Sequence, residues 1–128
     1  MKKITFAAAV AFGMMASLSV SAVTTAICDG TGAHDGAVPA SGTAGTHYML
    51  TPIAPKCSTN VFLSGIDGTA GAWYAVGSAS IKGKSTFKGH SNGGSVSSSA
   101  ACAVPGGCTV NEAGTARDAA NTAAGAAT

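Results

Sequence analysis

Few side chains in this chain could do chemistry. His34, His47 and His90 are its histidines, Glu112 is its only glutamate, and Cys28, Cys57, Cys102 and Cys108 are its cysteines. A Ser-His-Asp hydrolase needs a nucleophile placed on a sharp turn. No Gly-x-Ser-x-Gly occurs, and serines are so common that a Ser near a His carries little weight. His34, Asp35, His47 and His90 have the donor types for a metal, but three of the four sit in Gly-rich or turn-like contexts typical of exposed loops. The cysteines lack the paired C-x-x-C spacing of a zinc site. Asp29, Asp35, Asp67 and Asp118 also read as turn and loop residues, and nothing pairs them as the acid and base of a glycosidase. Gly30-Thr31-Gly32 and Gly93-Gly94 lack the Lys and the strand-to-helix setting of a phosphate loop. Phe62, Trp73 and Tyr74 could stack on a sugar, yet a chain this poor in large side chains has more use for them in its core. The expectation is a protein without catalytic residues, bound metal or cofactor.

The elements that hold these residues begin with an export signal. Met1-Lys2-Lys3 is a basic start. An uncharged, mostly apolar run follows from Ile4 to Leu18, and Ser19-Val20-Ser21-Ala22 supplies the small residues of a cleavage site. This is the pattern of a bacterial-type secretory signal cut after Ala22, with Ala26 as a second possible cut. The apolar run is short for a membrane span. Export makes the four cysteines two disulfides. Three pairings are possible. Cys28–Cys57 with Cys102–Cys108 is preferred, because Pro105-Gly106 offers a tight turn inside the second pair. In the loop-entropy model these closures stabilise by about 3.5 and 2.5 kcal/mol.

Composition limits the rest. Residues 23–128 carry five Lys or Arg against five Asp or Glu, so the positive charge of the whole chain comes from Lys2 and Lys3. A neutral domain has no electrostatic basis for binding nucleic acid. More than half of residues 23–128 are Ala, Gly, Ser or Thr, and only 15 are Leu, Ile, Val or Phe. Such a chain builds a small core and needs disulfides, assembly or both. The predicted organisation is a signal over 1–22, one domain over 23–110 and a tail over 111–128. Gly114, Gly125 and the lack of any apolar residue larger than Ala argue that the tail is mobile.

Within the domain the periodicity is β. Residues 23–45 read as irregular surface chain tied down by Cys28, with strand character at 23–28. His47 to Thr51 and Ser58 to Ser64 are candidate strands. Asp67-Gly68 is a two-residue hairpin signal that would set Phe62 opposite Trp73, Leu63 opposite Ala72 and Val61 opposite Tyr74. From Ala75 to Lys88 small or apolar residues alternate with polar ones, which predicts a long half-buried strand bent at Gly77 or Gly83. Asn92-Gly93 would turn it into a second hairpin with Phe87 opposite Ser98 and Gly83 opposite Cys102. The expected fold is mainly β: a small antiparallel sheet or sandwich built from consecutive hairpins, disulfide-stabilised, with an irregular N-terminal segment. Its candidate core is Phe62, Trp73, Ile81, Phe87 and Val96.

The first hairpin is apolar on both faces. Val61, Leu63, Tyr74 and Val76 share the face opposite Phe62 and Trp73, which makes them candidates for a subunit contact. Lys82, Lys84 and Lys88 would form a solvent face. The composition resembles that of bacterial surface-fibre and matrix subunits. The expectation is therefore a secreted structural or adhesive protein, outside the cell or at its surface, whose partner is another copy of itself. The alternative is a small monomeric binding or inhibitor module, periplasmic or secreted, whose loops meet a partner.

Overall fold

A computed structural model describes residues 22–127. Apart from Ala22, the export signal lies outside them. Seven strands form: β1 (Thr24–Asp29), β2 (His34–Asp35), β3 (Lys56–Cys57), β4 (Val61–Asp67), β5 (Tyr74–Ser80), β6 (Ser85–His90) and β7 (Ser97–Ala101). One helix, α1 (Val110–Ala126), follows them. Five strands make one antiparallel sheet in the order β1-β4-β5-β6-β7, and β2 and β3 make a separate two-stranded ribbon. The protein is mainly β, as its alternation predicts, and two disulfides, Cys28–Cys57 and Cys102–Cys108, close it. Among the described residues no helix is long and apolar enough to cross a membrane. The disulfides fit an oxidising compartment.

The C-terminal segment is not a mobile tail. Residues 110–126 are helical, and α1 packs across β4, β5 and β6. Two features outweigh its glycines. The first is a capping box: the Thr109 hydroxyl accepts from the Glu112 backbone N–H, and the Glu112 carboxylate accepts from the Thr109 N–H at 2.6 Å. The second is a face made only of Ala113, Ala116, Ala120 and Ala124, all buried. Alanines at this spacing form a flat seam that lets the helix lie close to the sheet. It lies so close at Gly77 that a Cβ there would sit 2.2 Å from the Ala113 carbonyl oxygen and the Arg117 backbone nitrogen. Side-chain bonds complete the docking. Trp73 Nε1 donates to Asn121 Oδ1 at 2.8 Å, Arg117 donates to Ser64 Oγ at 2.8 Å, and Asn92 Nδ2 donates to the Ala124 carbonyl at 2.9 Å.

The strand boundaries and registers differ from the sequence expectation in three places. Asp67-Gly68 does not make a two-residue turn. Residues 68–73 form a longer loop with a 3₁₀ turn at Thr69–Gly71, so Phe62 pairs with Ala79 instead of Trp73. The register moved by six residues, an even number, so every side chain kept its predicted face. Next, the strand expected over 75–88 is a hairpin. It turns at 81–84, where the Gly83 N–H donates to the Ser80 carbonyl, and β5 pairs back on β6. The turn reverses the parity of the alternation. Ala75 and Ala79 pack toward α1, whereas Phe87 pairs with Ser78 on the opposite face. Last, Asn92-Gly93 opens a six-residue loop over 91–96, and a bulge at Ser99 shifts the pairing so that Ser85 meets Ala101 while Phe87 still meets Ser98. The strand expected at 47–51 does not form. Residues 36–55, with Pro39, Pro52 and Pro55, run as an irregular strap.

Ile81, Phe87 and Val96 are therefore not core; they are 40%, 47% and 76% exposed. Ile81 stands in the turn, Phe87 changed face with the parity, and Val96 precedes the last strand. Phe62 and Trp73 are buried under α1.

Candidate functional site

The sheet has one covered face and one largely open face. Pairing places Val61, Leu63, Gly65, Tyr74, Val76, Ser78, Phe87 and Gly89 on the face away from α1. The four residues expected at a subunit contact do share this face, but they are not equivalent. Leu63 packs against Ile27 and the Cys28–Cys57 disulfide. Tyr74 is buried, its ring lying so close over Gly65 that a Cβ there would be 2.1 Å from the hydroxyl. Val61 and Val76 remain half-buried and line open grooves.

The strap supplies the rest of this surface. It is pinned at one end by the β2–β3 ribbon and Cys57, and at the other by Asp67. The Asp67 carboxylate is buried and accepts from the Tyr48 backbone N–H at 2.9 Å and from His47 Nδ1 at 3.3 Å. A buried carboxylate needs such partners; here they fix the strap beside the sheet. Asp67 thus serves as an anchor and not as a turn residue. Burial, and after it the Asp67 charge, push the Tyr74 phenol up to about 12. Its hydroxyl is buried and, among the described residues, makes no hydrogen bond of ordinary geometry, although Thr25 offsets part of the upward push.

Between strap and sheet runs a groove of about 350 Å³, lined chiefly by Tyr48, Ile53, Tyr74, Val76, His90 and Val96. Val61, Ser78, Lys84 and Phe87 line a second groove of about 430 Å³ farther along the same face. Along them Tyr48, Ile53, Phe87 and Val96 are exposed. The surface is continuous, because Val76 pairs with Gly89, next to the Ser78–Phe87 pair, and Val96 lies over Gly89. Tyr48, Leu50 and Ile53 escaped the sequence reading because an irregular strap leaves no periodicity. The three prolines that exclude a buried strand there were the available signal.

The edges of the sheet are less open than its face. β1 bulges at Ile27, whose carbonyl accepts from the Ala37 N–H at 2.9 Å, and β7 bulges at Ser99. Bulges at edge strands twist the free backbone groups away from a would-be partner.

The polar residues do not converge. His34, exposed on β2, bonds the Gly32 carbonyl through Nδ1, and Asp35 pairs with Lys56 across the β2–β3 ribbon. His47 holds Asp67, and His90 Nδ1 is buried with no hydrogen-bond partner among the described residues. The His47–Asp67 orientation resembles that of a catalytic dyad, but among the described residues no Ser, Thr or Cys side chain hydrogen-bonds His47. No three His, Cys, Asp or Glu side chains among the described residues gather in a metal-ligating group. Phe62 and Trp73, covered by α1, offer no face for a sugar. Glu112 accepts from the Ala103 and Thr109 N–H groups, each at 2.6 Å, and these bonds hold its carboxyl below the usual carboxylate range. It caps α1 and ties it to the Cys102–Cys108 loop. No family model matches this chain, and no curated protein or solved structure matches it either.

Proposed function

We propose that this chain is a secreted structural subunit whose copies meet through the helix-free face of the sheet. One observation carries the reading: Tyr48, Ile53, Phe87 and Val96 are exposed together along the two grooves of a face whose other side is already satisfied by α1. In a chain with so few large apolar residues, leaving this many outside is unusual, and clustered exposed apolar surface marks an interaction site. Residues 23–128 are neutral, so charge does not hold copies apart. With both edges bulged, contact through the face is favoured over addition of a strand. The two disulfides and the docked helix keep each copy rigid, as a load-carrying subunit requires. Lys82 and Lys84 at the β5–β6 turn stay free for an anionic surface.

A monomeric binding module is the second reading. The groove between strap and sheet favours it, since about 350 Å³ is within the range of small-ligand sites. Electron microscopy and sedimentation of oxidised residues 23–128 over a range of concentrations separate the two. The expected result is ordered oligomers or filaments that dissociate in Ile53→Glu/Val96→Glu, with the circular dichroism of the monomer unchanged. Dispersed monomers at every concentration overturn the structural reading and leave the binding module.

A further inference from the structure

Asn92-Gly93 is the only Asn-Gly pair in the chain, and the fold gives it a task beyond making a turn. The pair sits at the start of the 91–96 loop. Asn92 Nδ2 donates to the Ala124 carbonyl at 2.9 Å, across 32 residues of sequence. Ala124 is fully buried against Ile66, Trp73, Ala75 and Ala120. The last turn of α1 has no basic side chain to offset its carbonyls; the Ala124 carbonyl accepts from the Ala127 N–H within the cap, at 3.2 Å, and from the Asn92 amide across to the 91–96 loop. Gly93 is exposed, has φ 77° and has open space where a Cβ would stand. No side chain of its own shields the Gly93 nitrogen, and its permissive backbone can adopt the conformation that ring closure needs.

We propose that Asn92 is a site of spontaneous deamidation, and that the reaction unpins the C-terminal turn of α1. The Gly93 backbone nitrogen, losing its proton, attacks Asn92 Cγ. The new N–Cγ bond closes a five-membered succinimide as the Cγ–Nδ2 bond breaks and ammonia leaves with the proton. Water then opens the ring at either carbonyl, giving Asp or isoaspartate at position 92. No oxidant or reductant takes part. The product inverts the contact. A donor becomes a carboxylate facing the Ala124 carbonyl at the negative end of a helix, where like partial charges repel, and that carbonyl is left with the Ala127 N–H, 3.2 Å away, and without its tie to the 91–96 loop. The isoaspartate form also lengthens the loop backbone by one methylene. The last turn of α1 covers the Trp73 indole, close to which Gly125 lies, so undocking exposes the chain's single tryptophan to water. The reaction is one-way, and it would mark the age of a long-lived extracellular protein. It does not depend on the assembly reading.

The test incubates oxidised residues 23–128 at neutral and mildly alkaline pH, maps each asparagine by peptide mass spectrometry and separates deamidated from intact protein by ion exchange. The expected result is deamidation at Asn92 well ahead of Asn60, Asn111 and Asn121. The separated fraction should show red-shifted Trp73 emission and about tenfold faster amide exchange in the last turn of α1, as loss of one hydrogen bond implies. Asn92→Asp should reproduce both changes at once. Two results overturn the proposal: Asn92 keeping its amide as long as the other asparagines, or a deamidated fraction whose Trp73 emission and last-turn exchange match the intact protein.

Discussion

Gly77→Ala tests the arrangement on which the fold rests. The residue lies in the middle of β5 with ordinary backbone angles, so in an open sheet alanine would be tolerated and would stabilise by about 0.4–1 kcal/mol through the unfolded chain. Against α1 it cannot be. A Cβ at Gly77 would meet the Ala113 carbonyl oxygen and the Arg117 nitrogen at 2.2 Å, and the Arg117 Cα at 2.8 Å. These are backbone atoms of a hydrogen-bonded helix, which cannot rotate away as a side chain could. The helix must move outward by roughly an ångström, parting Ala113 and Ala116 from the sheet. Overpacking of this kind costs about 1–3 kcal/mol, so after the gain through the unfolded chain the net loss is about 1–2 kcal/mol, or roughly 4–15 °C in Tm for a domain of this size. Thermal unfolding followed by circular dichroism and Trp73 fluorescence reads it directly. Gly114→Ala is the matched control. It stands on the same helix with nothing within 4 Å of its Cβ position, and should stabilise by about 0.5–1 kcal/mol through helix propensity. If Gly77→Ala melts at or above the parent temperature, α1 does not lie on β5 as described.

Further tests address single contacts. Asn121→Ala leaves the Trp73 indole N–H without its acceptor and should destabilise by about 1–3 kcal/mol, measured by denaturant titration. Thr109→Ala removes the helix cap and should lower stability by about 1 kcal/mol, with the loss of helicity confined to the first turn by hydrogen exchange. Glu112 has a depressed folded pKa, so its contribution is complete above the ordinary carboxylate value and is lost as pH falls through the folded one. Glu112→Gln should therefore show a shallower stability loss in acid than the parent. Tyr74 behaves in the opposite sense. Its folded pKa lies near 12 against an ordinary 10.0, so the unfolded chain releases the proton first and stability falls as pH rises between those values. After allowance for screening the effect is about 1–2 kcal/mol. Tyr74→Phe should abolish that alkaline slope, measured by denaturant titration across the same pH range.

The two functional readings differ in what they ask of the strap. For assembly it needs only to be held still, and Asp67 with His47 and Tyr48 does that from one end while Cys28–Cys57 does it from the other. For ligand binding its Tyr48 and Ile53 would form one wall of the groove and would change exposure when a ligand enters.

Local chemistry decided much of this protein from the sequence alone. Alternation of side-chain character separated the two faces of the first hairpin, and that separation survived a six-residue error in register because faces depend only on parity. The scarcity of charge, the small-residue composition and the four cysteines likewise needed no fold to be read. Tertiary structure decided what parity and composition cannot carry. Whether 75–88 is one strand or two depends on a turn at 81–84 that lacks a strong turn dipeptide, and that turn moved Phe87 from the expected core to the open face. Whether 110–126 is a helix depended on a surface to dock on. Its alanines bury little area alone and form an anchoring face only where Gly77 lets the backbones meet. Asp67, a turn residue by local rules, became the anchor of a strap 20 residues away, a contact that exists only once the sheet has brought the two segments together.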